Sequence, residues 1–158
     1  MASCQCGVAH AVPVACAADE VTVFTCPSHG KVISVCASKG WTASSGYVQY
    51  RFGRRGTAEI VVPVRAYPSS PGAGVKVAQL PLSGGGVDYA AFNAGRYDYS
   101  VYSAVSGQWG LKSGVAIDKD GVRVGAQRCD RGKEGEFADG FLPGGGLPPA
   151  ATTFVLPD

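Results

Sequence analysis

VTVFTCPSHGKVISVCASKGWTASSGYVQYRFGRRGTAEIVV, residues 21–62, carries the cleanest apolar alternation in the chain and decides its fold class. Val21 to Cys26 and Lys31 to Ala37 are rich in β-branched residues, and Pro27-Ser28-His29-Gly30 between them has strong turn chemistry. With His29-Gly30 as a two-residue loop, Cys26 faces Ile33, Phe24 faces Val35 and Val23 lies opposite Cys36. That register turns Cys26 and Cys36 to opposite faces of the sheet, which makes a bridge between them geometrically poor and favours Cys129 as a partner. A loop longer by one residue reverses the conclusion, so the pairing among Cys26, Cys36 and Cys129 stays open at the level of sequence.

The second half of the stretch reads as another hairpin. Val48, Tyr50 and Phe52 share one face, while Tyr47, Gln49 and Arg51 share the other. A five-residue loop from Gly53 to Thr57 pairs Tyr50 with Ile60 and Val48 with Val62, leaving Glu59 near Arg51 on the outside. Pro63 ends that strand or marks an edge. Trp41, the one large residue of the Ser38 to Ser45 connection, is placed to fold over the end of the core.

Further along, Arg65 to Gly86 is rich in Pro, Gly and Ser and holds one candidate strand, Val75 to Leu80. It reads as a long surface connection suited to a binding loop. Val87 to Phe92 and Tyr97 to Ser103 form a third hairpin around Asn93-Ala94-Gly95, with Tyr97, Tyr99 and Val101 on one face. Trp109 to Lys112 is a weak segment. Gly114 to Ile117 and Val122 to Cys129 make a clear hairpin about Asp118-Lys119-Asp120-Gly121. Beyond Cys129 the composition shifts to charged, glycine-spaced sequence and then to GFLPGGGLPP, so residues 131–158 are expected to be a Gly/Pro-rich tail. The fold class is therefore all-β, an antiparallel sandwich or small barrel built from consecutive hairpins.

Composition agrees. At 158 residues the chain suits one domain, and its 23 glycines and 10 prolines argue against long helices. A hydrophobic share of 46% against 16% charged excludes disorder over most of the length. The net charge of +2 gives no field that points to nucleic acid. No run approaches the roughly 20 apolar residues of a membrane-spanning helix.

The first residues, MASCQCGVAHAVPVACAADE, resemble the end of a signal peptide, with Ala15-Cys16-Ala17 as the small-x-small cleavage pattern. Residues 1–17 are accordingly expected to be a signal remnant and 18–130 the β-domain, although no Lys or Arg precedes the apolar run and His10 and Pro13 interrupt it. Cleavage after Ala17 leaves Cys26, Cys36 and Cys129, enough for one disulfide and a spare thiol, which suits a periplasmic or secreted protein. A lipid anchor on Cys16 is the weaker alternative, since Pro13 stands where a leucine-like residue is required.

The pattern FTC-x3-GKVISVC, then YVQYRFG, AEIVV, YDYSVYS and GVAIDKDGVRVGAQRCD resembles a group of small exported bacterial β-rich proteins of uncharacterised function, over Asp19 to Asp130. The resemblance implies a secreted or periplasmic β-domain with paired cysteines at Cys26 and Cys36 and a terminal strand cysteine at Cys129. It implies no activity. A shorter segment, SGYVQYRFGRRGTAEI, is similar to the Ser-Gly-x-x-Tyr and aromatic-Lys-Gly signature of C-type lysozyme inhibitors, with Arg55 in place of the lysine, no tryptophan and a different spacing.

Motifs that invite catalysis have plainer readings. Cys4-x-Cys6, His10 and Cys16 match no zinc spacing, so no metal is expected. Cys26-Pro-Ser-His29 places its histidine in a tight turn while the cysteine faces the core, against a thiol nucleophile. No Gly-x-Ser-x-Gly elbow exists. Asp118-x-Asp120-Gly121 lacks the later acidic ligands of a calcium loop. Gly84-Gly85-Gly86 and Gly144-Gly145-Gly146 lack the Lys-Ser/Thr ending of a phosphate loop. Arg51, Arg54 and Arg55 near Tyr47 form a candidate anion contact at a hairpin tip.

The expectation is a non-enzymatic exported binding domain without cofactor, its partner a protein or glycan, with an inhibitor or immunity protein as the sharper version. A hydrolase using Glu59, Asp88, Asp98 or Asp118 as acid and base is the alternative from another class. A structural envelope role is the third.

Overall fold

In the computed structural model, residues 11–65, 70–142, 145–151 and 153–158 are described. The first sheet holds β1 (Glu20–Ser28), β2 (Lys31–Ser38), β3 (Val48–Arg54) and β4 (Ile60–Val62). After a one-turn helix α1 (Pro71–Gly74), the second holds β5 (Val75–Leu82), β6 (Gly85–Ala94), β7 (Tyr97–Ser106), β8 (Gly110–Lys119) and β9 (Val122–Arg128). Each sheet is an antiparallel meander in chain order, and the chain passes between the sheets once, from β4 to β5. The fold is an all-β sandwich.

Turn residues set the registers. His29 and Gly30 both take positive φ, +49° and +78°, the backbone of a type I′ two-residue loop, and Cys26 pairs with Ile33 and Phe24 with Val35 as the sequence predicts. Asp120 and Gly121 repeat the device between β8 and β9, with φ of +52° and +80°. Val23 departs from expectation: Thr22, not Val23, lies opposite Cys36, and Val23 is the extra residue of a bulge. The bulge sends both Val23 and Phe24 into the core.

The β3 to β4 loop is longer than predicted, so Tyr50 pairs with Val62 and Phe52 with Ile60. A slip of two residues keeps every side chain on its predicted face, and Val62 is buried as expected. Glu59 does not approach Arg51 but pairs with Lys31 at 2.8 Å. The third hairpin turns at Gly95-Arg96, between the paired Ala94 and Tyr97. Of the segment read as weak, Trp109 to Lys112, the last three residues open β8, which runs for ten.

Between the sheets, Ile33, Val35, Val48, Tyr50 and Phe52 from the first meet Val75, Ala90, Phe92, Val101 and Val115 from the second. Tyr50 is the central contact, its ring 5.3 Å from Tyr99 and 5.9 Å from Phe92. The Cys26–Cys129 disulfide ties β1 to the end of β9, uniting the sheets across 103 residues of sequence.

Three expectations about the ends are corrected. First, residues 11–17 belong to the folded domain: Val12 and Val14 hydrogen-bond Ala58 and Gly56, Val14 is buried, and Cys16 is disulfide-bonded to Cys36. A cut after Ala17 would discard half of that disulfide, and an acylated Cys16 is incompatible with it. Cys36 has its own partner because its side chain points away from the core, where Cys16 of the N-terminal segment meets it. Second, residues 130–142 form a strap along the edge of β1, with Asp130 N–H donating to Pro27 O and Ala138 N–H to Val23 O. Phe137 packs on Phe24, and Phe141 meets Trp41 over the end of the core, as the position of Trp41 foreshadows. Third, the last residues are docked rather than a free tail. Pro148 O and Ala150 N–H bond the edge of β5 at Val77, and Phe154 stacks on Tyr89 at 4.5 Å.

Candidate functional site

The outer face of the second sheet is divided into two unlike halves. On one, Leu80, Val87, Tyr89, Tyr102 and Ala104 form an apolar platform that Phe154 and Leu156 cover. On the other, the cross-strand row Lys76, Ala91, Ser100, Ala116 continues into the row Asn93, Asp98, Asp118, Arg123. Small side chains at Ala91 and Ser100 leave the floor low, and the final segment stands beside it as a wall. The result is an open groove of about 550 Å³ whose lining includes Lys76, Tyr89, Asp98, Asp118, Arg123 and Phe154.

The β7 to β8 register brings two of the four candidate carboxylates together, because Asp98 and Asp118 are directly opposite. Side chains so placed have Cβ atoms about 4.5–5.5 Å apart. Their surroundings differ. Arg123 Nε donates to Asp118 Oδ1 at 2.6 Å, and its Nη2 donates to Val155 O at 2.9 Å, so Arg123 joins the sheet, the wall and the carboxylate. Its guanidinium also lies over the Phe154 ring. Asp98 accepts a hydrogen bond from Asn93 Nδ2 at 3.0 Å but has no cationic partner among the described residues. Lys76 and Ser100 have no polar partner among the described residues, and Ser100, although 5% exposed, lies on the groove floor. Tyr89 donates its hydroxyl proton to Ala151 O, and burial pushes its pKa up, so it stays a neutral donor that anchors the wall.

The other candidate residues are dispersed. Asp88 lies on the inner face of the second sheet, in a separate hollow of about 310 Å³ beside Glu136 and Phe137, where Gln79 bonds it. Glu59 is held by Lys31. Arg54 and Arg55 are exposed at the tip after β3, as expected of a hairpin loop. Arg51 does not join them, contrary to the expectation of an anion contact at the tip: it is 4% exposed and makes a bidentate ion pair with Glu20, at 2.9 and 2.7 Å. Gln49 Oε1 and Ala15 O accept its remaining hydrogen bonds, and Tyr47 donates to the same Glu20 at 2.6 Å. Arg51 and Tyr47 thus hold the N-terminal segment on the outer face of the first sheet.

Cys26 is oxidised in its disulfide, consistent with its structural reading. Cys4, Cys6 and His10 lie outside the described residues, and Cys16 is taken by Cys36. The Asp118 to Gly121 turn is braced by an ion pair between Asp120 and Arg96. Among the described residues no helix is long and apolar enough to cross a membrane.

Sequence reading missed the groove, since Lys76, Arg123 and Phe154 are each unremarkable alone. A partial signal was present. Once Phe92, Tyr99 and Val115 are assigned inward, Ala91, Ser100 and Ala116 must share the outer face, and a row of small residues there leaves a depression. Compared with known protein families, curated proteins and solved structures, the chain matches none.

Proposed function

We propose that this protein is an exported, periplasmic or secreted domain that works by binding, and that the groove on the second sheet is its ligand site. Two disulfides, Cys16–Cys36 and Cys26–Cys129, support an oxidising compartment. The observation that carries the binding reading is the low floor of Ala91 and Ser100 between charges of both signs on rigid strands. The groove's charges stand on strands, and sites on strands are held more precisely than sites on loops.

The test is an amide chemical-shift screen of the full chain against mixed sugars, amino acids and short peptides. Binders should shift Ala91 and Ser100 together, and Ser100→Leu, which fills the floor, should abolish the effect. Binders that shift only the Arg54-Arg55 tip would move the site there and favour a protein-directed inhibitor. No shifts at either place would end the reading.

A second reading, carboxylate-based hydrolysis, has one observation in its favour, the side-by-side Asp98 and Asp118. The groove, however, lies open on a sheet face rather than closed around a reacting bond, and Arg123 neutralises Asp118. Turnover of a glycoside by the wild type that is lost in both Asp98→Asn and Asp118→Asn would establish it.

A further inference from the structure

The groove contains four charged side chains, and two of them cancel: Asp118 is bound to Arg123 at 2.6 Å. What remains is one cation, Lys76 on β5, and one anion, Asp98 on β7, neither with a countercharge among the described residues. Asp98 is two strands and two residues from the level of Lys76, because Lys76, Ala91 and Ser100 form one cross-strand row. With strands about 4.8 Å apart and a rise of about 3.4 Å per residue, the two α-carbons are separated by about 12 Å. Only Ala91 and Ser100 intervene on the floor, and neither is tall enough to let the charges meet.

A simple anion at Lys76 would also feel Asp98, and a simple cation at Asp98 would also feel Lys76. Both are discouraged by a low-lying charge of their own sign. A ligand carrying one charge of each kind gains at both ends.

We propose that the groove selects a zwitterionic ligand of short-peptide dimensions, its carboxylate at Lys76 and its ammonium at Asp98, with its middle over Ser100. Allowing for the reach of the two side chains, the ligand charges stand on the order of 7–10 Å apart, the span of two to three extended residues. The Ser100 hydroxyl supplies a hydrogen bond to the middle, and the Phe154 and Tyr89 wall limits width. This inference rests on the groove being a ligand site and specifies what enters it.

The experiment titrates the full chain with tri-alanine, N-acetyl-tri-alanine and tri-alanine amide, following the amides of Ala91, Ser100 and Ala116. Free tri-alanine should bind in the millimolar range or tighter, and blocking either end should weaken it about 2- to 5-fold. The two variants then assign the ends. Lys76→Gln should erase the difference between acid and amide while keeping that between amine and acetyl; Asp98→Asn should do the reverse. Both residues lie outside the core, so the variants retain the fold, which an unchanged spectrum elsewhere verifies. Equal binding of all three peptides, or discrimination untouched by the variants, overturns the zwitterion proposal and leaves the groove as a site. No response to any of the three overturns it too, and the broader screen then decides separately whether the groove binds anything.

Discussion

Glu20→Gln should be among the most damaging single substitutions in this protein. Glu20 and Arg51 are 6% and 5% exposed, and the two-point contact at 2.9 and 2.7 Å is the only countercharge Arg51 has among the described residues. The substitution keeps the shape and removes the charge, leaving a guanidinium in a site built for a neutral pair. Breaking a buried pair in this way costs about 3–5 kcal/mol, which in a chain of this size lowers the melting midpoint by roughly 6–20 °C.

The pH dependence follows from the same contacts. Burial alone would raise the Glu20 pKa, but hydrogen bonds from Arg51, Ala17 N–H and Tyr47, with the Arg51 charge, outweigh it and hold the carboxyl below its ordinary value. A depressed folded-state pKa stabilises above the unfolded value near 4.3, and that contribution is lost as pH falls through the folded one. Wild type should therefore lose stability below about pH 4–5 along a limb that Glu20→Gln lacks. Urea midpoints by circular dichroism from neutral to acidic pH read both effects. The double variant Glu20→Leu/Arg51→Met should recover part of the loss, since no lone charge remains buried. A cost of Glu20→Gln under about 1 kcal/mol at neutral pH would refute the reasoning, because exposed pairs alone show so little.

Other consequences are equally direct. Non-reduced peptide mapping should recover Cys16 joined to Cys36 and Cys26 joined to Cys129; a Cys26–Cys36 peptide would contradict the opposite-face register. Removing the longer link should cost about 4.7 kcal/mol and the shorter about 3 kcal/mol by loop entropy, so their order by chemical denaturation tests whether unfolded-chain entropy governs. Phe154→Ala should cost about 2 kcal/mol and speed hydrogen exchange along β5, because Phe154 fastens the final segment over Tyr89 and Tyr102; unchanged exchange would mean that the segment does not guard that edge. Tyr50→Phe should be neutral or stabilising by up to about 1 kcal/mol, since the Tyr50 hydroxyl is fully buried with no hydrogen-bond partner among the described residues. Destabilisation beyond that by thermal melting would show that the hydroxyl has a partner, a buried water being the natural one.

What the sequence reveals here is what local chemistry dictates. His29-Gly30 and Asp120-Gly121 accept positive φ at low cost, so both hairpins and their inward faces are legible, including the divergence of Cys26 from Cys36. The two-residue slip at β4 is invisible for the same reason that it is harmless: alternation repeats every two residues, and either register buries Val62. The bulge at Val23 is different, since it exists to bring two consecutive apolar residues inward, and strict alternation has no symbol for that. Arg51 misleads because an arginine near Arg54 and Arg55 reads as surface. Only the return of Glu20 across the outer face, fixed by Cys16–Cys36, makes it interior. The groove was legible only to the extent that its small residues were, because its charges come from four strands and its wall from a segment with no regular structure.

That segment has the composition of a linker, yet it solves a problem that the meanders create. Two open sheets have four edges, and an unpaired edge invites another chain. The strap of residues 130–142 covers β1, where Gly135 is forced by the ring of Phe24, 2.6 Å from where a Cβ would sit. Residues 148–150 cover β5 through bonds to the N–H and C=O of Val77, and Pro148 and Pro149, which lack N–H donors, hold the contact to one bridge. β4 is only three residues long and stops at Pro63. β9 carries the remaining edge, kinked by a bulge at Val124 and bearing Arg123 and Arg128. With each edge covered, shortened or bulged and charged, strand-to-strand polymerisation is disfavoured, which weighs against a self-assembling envelope role. The same segment, having crossed from β1 to β5, goes on to wall the groove. Glycine and proline after Cys129 are thus the residues a chain needs to round the end of a sandwich, and the groove is a product of that path.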